Sequence, residues 1–80
     1  MLRSYLEAAM RHARYERLEG DEGYFGEIRG FDGLWASART RDASAQELES
    51  ALEDWVVAGL QLGHVLPVVD GQSLSAPRIA

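Results

Sequence analysis

The sequence predicts a small α+β protein, a single domain in which a helix, a three-stranded antiparallel meander, a second helix and a short strand follow one another. Three observations predict it. Eighty residues would bury only about 63% of the open chain's surface, enough for one modest core and too little for a dinucleotide-binding fold, a β/α barrel or a two-domain cleft. The 46% hydrophobic and 26% charged fractions are those of an ordinary folded protein. The apolar spacing changes twice, from a helical period to alternation and back again.

The first helix is expected over about residues 2–12, because Leu2, Tyr5, Leu6, Ala9, Met10 and Ala13 form one apolar stripe. Arg3, Glu7 and Arg11 stand four apart on the other side, where alternate charges support a helix. Residues 14–19 read as a strand, Gly20-Asp21-Glu22-Gly23 as a turn, and Tyr24 to Ile28 as the second strand. Alternation sends Tyr24 and Phe25 to opposite faces, so at least one of them is expected in the core. Gly30-Phe31-Asp32-Gly33 makes the next turn and Leu34 to Arg39 the third strand.

The second helix carries Leu48, Leu52, Trp55, Val56, Gly59 and Leu60 on one face. Thr40 or Asp42 is favoured as its cap, although Ser44-Ala45-Gln46-Glu47 is itself a capping-box pattern. Gly59, inside the stripe, implies close approach to the sheet, Trp55 is expected in the core, and Gly63 is the stop. Val65 to Val69 reads as a short last strand, which Pro67 confines to an edge. The domain is expected to span residues 1–70, with 71–80 a tail.

Composition excludes several functions. With no Cys there are no disulfides, thiolate metal sites or Cys nucleophiles, and a reducing, cytoplasmic setting is expected. No apolar run is long enough to span a membrane. The net charge of −5 is unevenly placed: residues 1–41 hold seven Arg and seven acids, whereas 42–80 hold six acids and Arg78 alone. An acidic second half repels nucleic acid and attracts basic proteins. That argues against a double-stranded-RNA-binding domain, which has a similar element order but needs cations along its second helix. Here Arg39 and Arg41 are followed by Asp42, Glu47, Glu49, Glu53 and Asp54.

No catalytic or cofactor constellation stands out. His12 and His64 sit at different helix ends without a nucleophile pattern. The pairs Asp21-Glu22 and Glu53-Asp54 do not specify a metal site. The glycines at 20, 23, 26, 30 and 33 precede no helix and so form no phosphate loop. A protein that is not an enzyme, with neither metal nor cofactor, is expected.

The run Gly23-Tyr24-Phe25-Gly26-Glu27-Ile28, then Gly33-Leu34-Trp35-Ala36 and Thr40, then Leu48, Leu52, Glu53, Asp54 and Trp55, resembles the HicB-like antitoxin family over about residues 2–70. Arg29, Asp32, Ala38 and Ala43 depart from that pattern, standing where it has a strand-ending Pro, a turn Pro, a Gly and a capping acid. The resemblance implies a truncated RNase-H-like fold without nuclease carboxylates. It also implies a partner, HicA, a small basic mRNA interferase that such antitoxins block by covering its active surface. Many members add a C-terminal DNA-binding domain, which is not expected within these 80 residues.

Three functional readings follow: an antitoxin-like protein-binding domain, a stand-alone self-associating domain without a toxin partner and, least favoured, an enzyme of nuclease type. Self-association into a dimer or tetramer is expected from the unpaired edges of so small a sheet. Glu49, Glu53, Asp54 and Val57 on the outward face of the second helix are the candidate partner-binding residues.

Overall fold

A computed structural model describes residues 2–74. Helix α1 (Leu2–Arg11) leads into strands β1 (Ala13–Arg17), β2 (Tyr24–Ile28) and β3 (Trp35–Ala38), and helix α2 (Arg41–Gln61) follows. The strands form one antiparallel sheet in the order β1-β2-β3, with Tyr15 opposite Gly26 and Gly26 opposite Ala36. This is the α+β helix, meander, helix order that the spacing predicts.

The core lies between α2 and one face of the sheet, with α1 alongside. Leu48, Leu52 and Val56 of α2 are fully buried over Ile28 and Ala36 of the sheet, and Phe31 and Leu34 of the β2–β3 connection close one end. Turn hydrogen bonds, Phe31 N–H to the Ile28 carbonyl and Leu34 N–H to the Phe31 carbonyl, hold that connection against the core. Thr40 is the N-cap of α2, its hydroxyl accepting from Ala43 N–H at 3.0 Å. The competing capping box is not used, because Ser44 lies inside the helix and faces the sheet, completely buried. At the other end Gly63, with φ +72°, lets its own N–H reach the Leu60 carbonyl and His64 N–H the Gly59 carbonyl. That pattern satisfies the last carbonyls and stops the helix.

Several expectations are corrected. Helix α1 buries Tyr5, Ala8 and Ala9 while Leu2 is exposed, so its inner stripe is turned toward the small residues that allow close packing. Gly59 does not approach the sheet: a Cβ there would stand 2.7 Å from Cδ2 of Leu66, so its missing side chain makes room for the returning chain. Trp55 is half-buried rather than internal. Its ring tilts against Phe31 at 5.0 Å between centroids, and its indole N–H donates to the Asp32 carbonyl at 3.2 Å, the polar handle that favours a tryptophan at a wet margin.

Residues 65–69 form no strand. Leu66 and Val69 are buried, the Pro67 carbonyl accepts from the Tyr5 hydroxyl at 2.6 Å, and Val69 makes only an isolated bridge with Gln72. Side-chain anchors therefore replace a ladder that Pro67, lacking an N–H, cannot complete. Of the expected tail, residues 71–74 are described: Gln72 accepts from the Ser4 hydroxyl at 2.9 Å and Leu74 packs on the core. Residues 75–80 lie outside the described residues.

Candidate protein-binding surface

The outward side of α2 is acidic because its sequence places Asp42, Glu47, Glu49, Glu53 and Asp54 against Arg41 alone. Glu49, Glu53, Asp54 and Val57 are all exposed, but they do not form one cluster. Glu49 and Glu53, one turn apart, line an open groove of about 370 Å³ between α2 and α1, together with Leu2, Arg3, Leu6 and Glu7. Asp54 and Val57 do not line it; at 100° per residue they fall farther round the helix. Arg3 makes no ion pair with the carboxylates around it among the described residues. The groove thus joins three carboxylates to an apolar strip from Leu2 and Leu6, and its net charge is negative.

The other candidates are dispersed. His12 lies 2.7 Å through Nε2 from Asp70 Oδ1, and Arg11 Nη2 is 3.5 Å from Asp70 Oδ2. The His12 hydrogen bond, with Arg11 beside it, holds the Asp70 carboxyl below the usual carboxylate range. Asp70 stands at φ +49°, in the left-handed region that Asp tolerates better than most residues. This exposed cluster ties the end of α1 to the returning chain, a structural role that separation in sequence conceals. His64 borders a different groove with Trp55, Leu62 and Val65. Asp21 lies on the β1–β2 loop beside Arg17 and Arg39, while Arg41 stacks over the Tyr15 ring at 4.9 Å. Among the described residues no three His, Cys, Asp or Glu side chains stand close enough to hold a metal ion, and no helix is long and apolar enough to cross a membrane. Burial pushes the Tyr5 hydroxyl above its ordinary pKa, which keeps it the donor to Pro67.

Sequence reasoning missed a second surface. Neither Tyr24 nor Phe25 is fully buried. Tyr24 shares the covered face with Gly26 and Ile28, and Phe25 lies on the face that carries no helix. There it stacks on Trp35, with centroids 5.8 Å apart and planes 25° from parallel, and Trp35 is 57% exposed. The signal that could have found it is the small or aliphatic set at 26, 28 and 36, which marks those positions as the inner face and leaves 25 and 35 outside.

The architecture and its surfaces define a small α+β domain with an acidic groove and one bare sheet face. The chain matches the UPF0150-like family model over residues 4–67 and belongs to that family. It is similar to TTHA0281 from Thermus thermophilus, whose crystal structure gives a TM-score of 0.88 at 36% sequence identity, the match covering 96% of this chain and 95% of that one. No match is found among curated proteins.

Proposed function

We propose that this protein is an antitoxin-like binding domain that acts in the cytoplasm and neutralises a small, basic mRNA interferase of the HicA type by covering its active surface. The observation that carries this reading is the groove between α1 and α2, where Glu7, Glu49 and Glu53 surround the apolar strip of Leu2 and Leu6. Such a site accepts a Lys or Arg, whose methylene stem lies on the strip while its charged head meets the carboxylates. The like-charged Glu49 and Glu53, at i and i+4, disfavour the free helix slightly and are relieved by a cation. The sequence resemblance to HicB-like antitoxins supports the same reading. The protein contributes no catalytic group of its own; it excludes RNA from a partner.

The test is the Glu49→Gln, Glu53→Gln, Asp54→Asn variant, with association rates to the neighbouring-gene product measured at low and high salt. Electrostatic steering predicts a slower rate for the variant at low salt and convergence with the parent at high salt. Equal rates in both buffers would reduce the acidic helix to a solvated face.

A further inference from the structure

The bare face of the sheet is a regular grid. Side chains that alternate away from the buried Gly26, Ile28 and Ala36 are Arg14 and Glu16 on β1, Phe25 and Glu27 on β2, and Trp35 and Ser37 on β3. The register aligns them in two rows across the strands. Arg14, Glu27 and Trp35 form one, and Glu16, Phe25 and Ser37 form the other. Neighbouring strands lie about 4.8 Å apart, and residues two apart on a strand about 6.8 Å. Phe25 and Trp35 therefore make a stacked diagonal at the β2–β3 side, and the charges gather at the β1 side. Among the described residues, Arg14, Glu16 and Glu27 make no ion pair.

We infer that this face docks against the same face of a second copy of the chain. The charge pattern selects that partner. A uniformly basic protein would meet Arg14 and a uniformly acidic one would meet Glu16 and Glu27, but a second copy offers both signs in the same register. A two-fold axis lying between the sheets, perpendicular to the strands and passing between the two rows, exchanges one row for the other. It sets Arg14 of each copy opposite Glu16 of the other, twice by symmetry, as a self-complementary contact requires; Glu27 falls opposite Phe25 of the other copy and keeps Arg14 of its own sheet as its cross-strand neighbour. The same operation brings each Phe25–Trp35 diagonal beside its symmetry mate, so four aromatic rings close into one layer. Two twisted sheets stack in this way about 10 Å apart, with inner side chains interdigitating. The arrangement turns the bare face into the core of a sandwich and leaves the groove between α1 and α2 on the outside of both copies, free for another partner.

Charge reversal tests the geometry. Sedimentation equilibrium is expected to give twice the chain mass of 8.9 kDa for the parent protein. Arg14→Glu or Glu16→Arg alone places like charges opposite each other at both symmetric contacts, and each is expected to weaken self-association by about a hundredfold or more. The double variant Arg14→Glu, Glu16→Arg restores the pairing with signs exchanged and is expected to recover the dimer. Both substituted positions carry exposed side chains of β1, and far-UV circular dichroism checks that each variant is folded. A monomeric parent at sub-millimolar concentration overturns the inference. So does a dimer that both single reversals leave intact, which would place the contact on another surface, or a double variant that stays as dissociated as the single ones.

Discussion

On the face of the sheet that α2 covers, the central positions are Gly26 and Ala36, with Ile28 at the end of β2. On the opposite face, offset by one residue along the same strands, stand Phe25 and Trp35. At these central positions of β2 and β3 the aromatic side chains are outside and the small ones inside, while Tyr15 and Tyr24 flank Gly26 on the covered face. The difference has a steric cause on the inner side. A Cβ at Gly26 would lie 3.0 Å from the Tyr15 ring and 3.1 Å from the Ser44 hydroxyl, so the Tyr15 ring and α2 share the space that the missing side chain leaves. No comparable constraint explains aromatics on the outer side, where their exposure costs hydrophobic stabilisation in the monomer. The covered positions build the fold, whereas in the proposed dimer Phe25 and Trp35 are the positions that bind.

The covered side is the easier to break. Leu52→Ala, at a position with no exposure, is expected to cost about 2–5 kcal/mol, a large share of the about 5–15 kcal/mol available to a small domain. Urea unfolding should show a large fall in midpoint or outright loss of the transition. Gly26→Val adds volume where none is free and is expected to cost about 1–3 kcal/mol, read by the same titration; an unchanged midpoint would mean that α2 and the sheet are farther apart than described.

A smaller effect of opposite sign is expected at Ser44. Its hydroxyl is fully buried and has no hydrogen-bond partner among the described residues, so Ser44→Ala removes an unsatisfied group and should stabilise the domain by about 1 kcal/mol. For a chain of this size that raises the melting temperature by about 4–8 °C. A fall in melting temperature would show that the hydroxyl has a partner after all.

These residues also show how far the sequence can be read. The helical stripe of α2, its Thr40 cap, the meander and the Gly63 stop are legible because each depends on neighbours within a few positions. The path of the last segment is not, for a nonlocal reason. Val65 to Val69 has strand-like composition, but Tyr5, 62 residues earlier, holds the Pro67 carbonyl, and Leu66 fills the space left by Gly59. The Arg11–His12–Asp70 cluster joins residues 58 and 59 apart, and no local pattern announces it. The acidic character of α2 is legible from charge counting; the groove is not, because Leu2, Arg3, Leu6 and Glu7 come from the other helix. For the sheet, the inner and outer faces can be assigned only once Gly26 is placed inside.

The least effect is expected at that cluster, and it is directional in pH. The Asp70 carboxyl is more acidic in the folded protein than its ordinary value of 3.8. Its contribution to stability is therefore complete above the ordinary carboxylate range and is lost as pH falls through the lowered folded-state value. Melting temperatures of the parent and of Asp70→Asn, compared from neutral to acidic pH, should differ at neutral pH and converge in acid. A constant difference across that range would assign the role of Asp70 to its backbone conformation instead.

The division between a face that folds and a face that binds is tested most directly at Trp35. Ligation to a second copy stabilises by mass action, so the melting temperature of a self-associating chain depends on its concentration. The parent protein is expected to melt higher as concentration rises. Trp35→Ser is expected to melt at one temperature throughout and to meet the parent at high dilution, because a substitution at an exposed site away from the core changes folding by only about 0.5 kcal/mol or less. If the variant instead melts lower than the parent by the same margin at every concentration, Trp35 belongs to the fold and the two faces of the sheet do the same work.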